Sequence, residues 1–218
     1  MTLVKSFTFN PFSENTYLLI DEATRETIVI DPGCYTTLEQ KILKKYITDN
    51  ALIITRLLNT HCHLDHVFGN RFIEENYNVS VEIHAAEVPV LARAHVSGEM
   101  FGTPMLQQAT PSVFLKDNDE FTLGDAHFTC ILAPGHSPGS LCFYNEKEGF
   151  IISGDVLFFR SIGRTDLPGG SQMRLLESLK TRILTLPDAV KVYSGHGQVT
   201  TIGYERYNNP FLSHLQIA

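Results

Sequence analysis

Hydrophobic and polar residues follow two different repeats along this chain. Short runs rich in β-branched and aromatic residues, bounded by polar turn residues, predict strands. These strands are predicted at residues 4–9, 16–20, 27–30, 51–58, 79–83, 112–115, 120–123, 127–132, 141–144, 150–153 and 190–194. Apolar residues at helical spacing predict helices at 37–48, 64–76, 85–95 and 171–184. Strand-rich halves that each end in helices predict an α/β (α+β) fold, with two mixed sheets flanked by helices.

One segment, residues 97–111, has no clear repeat. Its apolar residues, which include Met100, Phe101 and Met105, are interspersed with Gly and Pro. Such a segment can cover a pocket, contact a second subunit or simply fill part of the core. The sequence does not decide among these three interpretations.

Composition narrows the class of protein. A chain of 218 residues that is 43% hydrophobic can bury a substantial core, so we expect one domain spanning 1–218. A net charge of −7 with scattered basic residues argues against nucleic-acid binding and favours a small-molecule substrate. No apolar run approaches the roughly 18 residues of a membrane span, and no signal peptide is evident. Four cysteines without framework spacing predict reduced thiols and a cytoplasmic protein. For the oligomeric state, a monomer and a homodimer are both open.

Potential metal ligands are most concentrated directly after the apolar run at 51–58, in the segment Thr-His-Cys-His-Leu-Asp-His. In an extended backbone His61, His63 and Asp65 share one side. A helix that begins near Leu64 can turn His66 toward the same cavity. Imidazole and carboxylate groups together suit zinc, iron or manganese, and the segment holds more ligands than one tetrahedral ion needs. The surplus predicts two metals.

Three later turns each place one further candidate ligand beside Gly at the end of a predicted strand. They are His136, Asp155 and His196. Glycine permits the tight backbone that presents such a side chain into a shared cavity. A single His or Asp in such a turn usually has only a structural role. Together with the first segment, however, these three residues predict a shared metal centre. A purely structural zinc site is the alternative, although such sites are closed at four ligands and usually rich in cysteine.

This combination resembles the metallo-β-lactamase superfamily, whose signature is His-x-His-x-Asp-His followed by a His, an Asp and a last His. Within it, residues 10–17, 163–170 and 209–212 resemble short bacterial glyoxalase II-like hydrolases. The resemblance implies a four-layer αβ/βα sandwich with two divalent metal ions, zinc first and iron or manganese as alternatives. It implies one metal held by His61, His63 and His136, a second held by Asp65, His66 and His196, and Asp155 bridging them.

The resemblance further implies a hydrolase of thioesters, with S-lactoylglutathione or a related hydroxyacyl-thiol as substrate. A metal-bridging hydroxide would attack, and Asp65 would also orient it. Two features depart from glyoxalase II: only 22 residues follow His196, too few for its C-terminal glutathione-binding domain, and Gln198 replaces its tyrosine. A persulfide dioxygenase with a single iron, and a lactone or ester hydrolase, remain the alternatives.

Three residues outside the ligand set are further candidates. Arg160 and Arg164 are the cations nearest in sequence to the site, and either can bind an anionic substrate or be an ordinary surface arginine. Asp31 ends a buried strand and is a candidate to accept the N–H of a ligand histidine. An ordinary Asp-Pro-Gly turn is the simpler interpretation of Asp31.

Overall fold

Six strands from the first half of the chain form one mixed sheet in the computed structural model, which describes residues 1–105 and 109–213. The first three strands are an antiparallel meander, and the next three run parallel to the third. The strands are β1 (Thr2–Phe9), β2 (Glu14–Asp21), β3 (Glu26–Ile30), β4 (Ile53–Leu58), β5 (Val81–His84) and β6 (Val113–Leu115).

Strands from the second half form another six-stranded sheet and a small ribbon. They are β7 (Glu120–Leu123), β8 (Ala126–Leu132), β9 (Leu141–Asn145), β10 (Phe150–Gly154), β11 (Leu157–Phe158), β12 (Ser161–Ile162), β13 (Lys191–Ser194) and β14 (Thr200–Thr201). The sheet order is β14-β13-β10-β9-β8-β7, in which only the β10–β13 pair is parallel among the described strands. Strands β11 and β12 pair with each other.

Helices cover the outer faces of both sheets. They are α1 (Thr37–Asp49), α2 (Leu64–Val67), α3 (Asn70–Tyr77), α4 (Val88–Met100), α5 (Gln172–Ser178) and α6 (Ile202–Asn208). A 3-10 turn at Ala85–Glu87 precedes α4, and a π-helical segment at Leu179–Ile183 extends α5. None of the helices in the described ranges is long and apolar enough to cross a membrane.

The alternation of side chains along β2 shows how the layers form. Tyr17 and Leu19 pack between the two sheets against residues such as Phe128 and Phe143. Leu18, on the opposite face, packs with Leu43 of α1. Because both faces of the sheet are covered, the strand is buried along its whole length. The predicted fold class, two mixed sheets between helical layers, is confirmed.

Two helix predictions differ from the structure. The single helix predicted at 64–76 is wrong, since the chain forms α2 and α3 with a break at Gly69. At the break, the Gly69 N–H donates to the Pro32 carbonyl at 2.7 Å, and a Cβ on Gly69 would lie 2.8 Å from that oxygen. The helix predicted at 85–95 instead continues to Met100, so residues 97–100 are helical rather than loop. Residues 106–108 of the unassigned segment lie outside the described residues.

The fold gathers four loops at one edge of the sandwich. The segment that begins at Thr60 follows β4, and the turns that carry His136, Asp155 and His196 follow β8, β10 and β13. The Leu141 N–H donates to the Thr60 carbonyl at 2.8 Å, which joins the two sheets at this edge. Carboxyl ends of neighbouring strands therefore meet where the candidate ligands lie.

Candidate metal centre

Three histidines from two loops form the first set. His136 Nε2 lies 3.2 Å from His61 Nε2 and 2.8 Å from His63 Nδ1. The three ligand atoms lie within 4.8 Å of one another. Ring nitrogens that converge this closely fit a divalent cation placed among them, since three neutral imidazoles are a common metal-binding set.

A carboxylate and two histidines form the second set. His196 Nε2 lies 3.1 Å from Asp65 Oδ2, and His66 Nε2 lies 3.7 Å from the same oxygen. His66 is fully buried, whereas His196 is partly exposed. Sequence alternation predicted that Asp65 would converge with His61 and His63. Instead, Asp65 groups with His66 and His196.

Asp155 lies between the two sets. Its Oδ2 is 3.5 Å from Nε2 of His136 in the first set and 3.5 Å from Nε2 of His196 in the second. Its Oδ1 is 3.4 Å from His66 Nε2. Asp155 Oδ1 and His66 Nε2 are buried without a hydrogen-bond partner among the described residues. Buried polar atoms without partners are costly, so these orphaned atoms are the observation that fits the residues to bound cations.

The outer nitrogens of the histidines are held by the protein. Asp31 Oδ2 lies 3.1 Å from His66 Nδ1 and accepts the Thr60 hydroxyl at 2.5 Å. The Thr60 oxygen in turn faces His61 Nδ1 at 3.0 Å. Such contacts fix the tautomer and orientation of a metal-binding imidazole. The geometry therefore places Asp31 where the sequence predicted an acceptor for a histidine N–H.

Backbone carbonyls hold two further histidines. The Arg164 carbonyl faces His136 Nδ1 at 2.8 Å, and the Phe12 carbonyl faces His196 Nδ1 at 3.1 Å. Both contacts direct the opposite ring nitrogen, Nε2, toward Asp155. The loops before β2 and after β12 thus orient ligands that lie far from them in sequence.

The two sets differ in how readily their histidines take up a proton. Burial lowers the pKa of His61 well below its usual value, and burial together with nearby His136 lowers the pKa of His63 to about 3. Burial also opposes protonation of His66, but Asp65 and Asp155 outweigh it and raise the pKa of His66 well above its usual value. The first set is therefore neutral near pH 7, whereas the second carries a proton when no metal is bound.

A cavity of about 760 Å³ opens beside the two sets. Its wall is mainly apolar and includes Phe12, Phe101 and Phe158. Arg164 lines the cavity, and its guanidinium binds Asp166 through two contacts of 2.7 Å. Arg160 is not among the lining residues; its backbone N–H donates to Glu205.

Helix α4 forms one side of the cavity. The wall contains residues at helical spacing: Val90, Arg93 and Ser97 of α4, Ala86 of the 3-10 turn before it, and Phe101, which directly follows it. Part of the segment at 97–111 therefore does border the cavity. Arg93 was not predicted as a site residue, although an arginine at this spacing in a predicted helix was a signal that could have identified it.

Two buried glutamates were also missed. Glu14 is fully buried, and its Oε1 lies 4.0 Å from His66 Nδ1. Glu87 is fully buried and accepts the N–H of Cys62, the residue between His61 and His63. Glu14 lies within the segment 10–17, and Glu87 lies near the start of a predicted helix. Neither position indicates burial beside the ligands, because that proximity depends on contacts that only the fold creates.

The geometry of this site can be set beside known proteins. A family model described as the metallo-beta-lactamase superfamily matches residues 9–196. The probable metallo-hydrolase YqgX of Bacillus subtilis is 37% identical over 208 residues, covering 95% of this chain and 96% of YqgX. Hydroxyacylglutathione hydrolase GloC of Haemophilus influenzae is 32% identical over 204 residues, covering 93% of this chain and 94% of GloC.

The chain is also similar in fold and sequence to solved structures. A crystal structure of the B3 metallo-beta-lactamase BLEG-1 has a TM-score of 0.87 and 35% identity, covering 97% of this chain and 100% of that chain. A crystal structure of TTHA1623 in a di-iron-bound form has a TM-score of 0.85 and 35% identity, covering 95% of this chain and 100% of that chain.

Proposed function

Since the chain belongs to the metallo-beta-lactamase superfamily, we propose that it is a binuclear metal-dependent hydrolase of thioesters. The substrate in this proposal is S-lactoylglutathione or a related hydroxyacyl-thiol, in line with the similarity to GloC. Zinc is the first candidate metal. Iron is a second, given the similarity to the di-iron form of TTHA1623.

The observation that carries the proposal is the position of Asp155 between two complete ligand sets. One carboxylate oxygen of Asp155 is equidistant, at 3.5 Å, from a histidine of each set. In this proposal His61, His63 and His136 hold one ion, and Asp65, His66 and His196 hold the other. A mononuclear site would leave one of these two sets without a function.

The remaining residues have defined tasks in hydrolysis. Two ions, if bound by these sets, would supply a water of lowered pKa and would polarise a substrate carbonyl. Asp65 would contribute one ligand oxygen, and its carboxylate would orient that water. The cavity wall accommodates the acyl-thiol, and the thiol leaving group departs without a protonating side chain because thiols have a pKa near 8.5. Arg93 and Arg164 are the basic residues that line the cavity within the described part of the chain.

Metal counting and a substrate panel test this proposal. Plasma mass spectrometry of the purified protein should find two equivalents of metal, and thiol release from S-lactoylglutathione should be detectable with a thiol-reactive dye. Asp155→Asn removes a charge that both sets share, so it should lower metal content and thiol release together. One equivalent of metal in the wild-type protein, with no thiol release from any acyl-thiol, would refute the proposal. Lactones and simple esters belong in the same panel.

A specific observation supports a second candidate, a persulfide dioxygenase with one iron. His136 Nε2 lies 3.2 Å from His61 Nε2 and 3.5 Å from Asp155 Oδ2, so two histidines and one carboxylate, the ligand type of non-haem iron oxygenases, lie next to one another. Oxygen consumption with glutathione persulfide separates the two functions. Consumption by the iron-loaded protein would favour the oxygenase, and its absence would remove that candidate.

A further inference from the structure

Glu87 is a buried carboxylate that receives three hydrogen bonds. It ends the 3-10 turn before α4 and has no exposed surface. Its Oε2 accepts the Cys62 N–H at 2.7 Å, and its Oε1 accepts the Ser137 hydroxyl at 2.5 Å and the Gly139 N–H at 2.6 Å. All three donors lie on the two loops that carry the first ligand set.

The donors to Glu87 are close chain neighbours of the first-set histidines, on a segment that also carries Asp65 and His66 of the second set. Cys62 separates His61 from His63, and Ser137 directly follows His136. Each histidine of the first set is therefore bonded along the chain to a residue that donates to Glu87. In the described ranges, none of the hydrogen bonds to Glu87 comes from a neighbour of His196 or from Asp155.

Glu87 also begins the cavity wall. Helix α4 starts at the next residue, and Val90 and Arg93 lie on its cavity face. At the far end Phe101 packs edge-on against Phe12, with ring centroids 5.8 Å apart, and the Phe12 carbonyl faces His196. One end of α4 is thus fixed to the first set and the other end lies beside the second.

We propose that Glu87 is a positioning residue for the first metal site, because its carboxylate ties the 61–63 and 136–139 loops to each other and to α4. The inference rests on the proposed binuclear centre. Glu87 does not contact the site itself; it acts through Cys62, Ser137 and Gly139. Losing it should weaken the first site selectively and leave the second site nearly unchanged.

Glu87→Gln is the informative substitution because it preserves size and polarity. The Cys62 N–H and the Gly139 N–H donate to different oxygens of Glu87. A glutamine offers one oxygen and one NH₂ group, so one of these two N–H groups must face the NH₂ group, which cannot accept a hydrogen bond. One ligand loop therefore loses its acceptor. Outer contacts of metal ligands typically contribute about 10–100-fold in metal affinity, and we expect a loss of that order at the first site.

Glu205 provides a matched control. It is also fully buried and accepts three donors, the Thr200 hydroxyl at 2.6 Å, the Arg160 N–H at 2.8 Å and the Asn209 side-chain amide at 2.8 Å. None of these three donors is adjacent in sequence to a candidate ligand. Glu205→Gln should therefore lower thermal stability without changing affinity at either metal site.

The test measures Zn²⁺ affinity by competition with a chromophoric chelator, together with the visible spectrum of the Co²⁺-loaded protein. His61→Ala and His196→Ala identify which binding constant and spectrum belong to each set. A loss of at least tenfold at the first site in Glu87→Gln, with the second site within threefold and Glu205→Gln unchanged, supports the proposal. Unchanged affinity at the first site overturns it, and so does an equal loss at both sites.

If Glu87→Gln does not fold, Ser137→Ala decides, because it removes one hydroxyl contact and leaves both backbone contacts in place. A weaker first site at an unchanged melting temperature of the metal-free protein then supports the proposal, and an unchanged first site overturns it. These measurements need no substrate. An absence of thioester turnover would count against the proposed function, whereas the comparison of metal sites would still test Glu87.

Discussion

Gly195 packs directly against Asp155 and His66, and its substitution by alanine tests that packing. A Cβ at this position would lie 2.1 Å from Asp155 Oδ1 and 2.7 Å from His66 Cε1. Real Cβ atoms stay at least 3.0 Å from such neighbours, so Asp155 or the Gly195 backbone must move by about 0.9 Å. The φ angle of Gly195 is outside the left-handed region, so the substitution adds a clash without backbone strain.

A displacement of this size is large compared with a metal bond. Carboxylate oxygens bind zinc at about 2.0–2.2 Å, so a carboxylate that moves by 0.9 Å no longer ligates an ion held by the other residues. Misplacement by about 1 Å costs on the order of 100-fold in rate. We therefore expect Gly195→Ala to lose about 100-fold in kcat for thiol release and to bind its metals more weakly.

Gly197→Ala is the matched control two residues away. A Cβ there has no neighbour within 4 Å, but the φ angle of +75° is strained for alanine. That substitution should cost on the order of 1 kcal/mol of folding stability and retain metal content and kcat. Metal analysis, thiol-release kinetics and thermal melting of both variants form the assay. If Gly195→Ala kept two ions and a kcat within threefold of wild type, the inferred packing around Asp155 would be wrong.

Two further predictions concern protons and substrate charge. Because His66 has a raised pKa and His61 and His63 have lowered ones, filling the first set at pH 7 should release no histidine proton, whereas filling the second should release at least one. At pH values below the pKa of His66, affinity for the second ion should then rise about tenfold per pH unit. Calorimetry in buffers of different ionisation enthalpy measures the number of protons released. Equal proton release for both ions would contradict the prediction. Arg93 lines the cavity and has no ion pair within the described part of the chain, whereas Arg164 binds Asp166. Arg93→Gln should therefore raise KM for S-lactoylglutathione about tenfold, exceed the effect of Arg164→Gln, and leave KM for an uncharged thioester unchanged.

The candidate ligands were predictable because their signals are local. His61, His63, Asp65 and His66 lie within one short segment after a buried strand, and His136, Asp155 and His196 each lie beside Gly at a strand end. The fold class followed from the alternation of strands and helices for the same reason. The local pattern could not give the division into sets. It depends on α2, which begins at Leu64 and places Asp65 and His66 beside His196.

Features that depend on distant contacts were missed. The break between α2 and α3 arises because the Pro32 carbonyl occupies the space beside Gly69, and the helical repeat on either side carries no trace of that neighbour. Glu87 is similar, because its donors lie 25 to 52 residues away in the chain. A glutamate near the start of a helix is usually explained by its favourable interaction with the helix dipole. The burial of Glu87 could therefore be recognised only in the fold.

Helix α4 links the two questions that the sequence left open, selectivity and the support of the metal centre. Glu87, directly before the helix, ties its N-terminus to the loops of the first ligand set. Val90 and Arg93 of the helix, and Phe101 directly after it, line the cavity. Substrate preference can therefore be changed at positions along this wall that differ from Glu87, as long as Glu87 itself is retained. Substitutions at these three cavity-lining positions should change the KM values for different acyl-thiols without changing the metal content. The reason is that they lie at least three residues after Glu87, which holds the ligand loops.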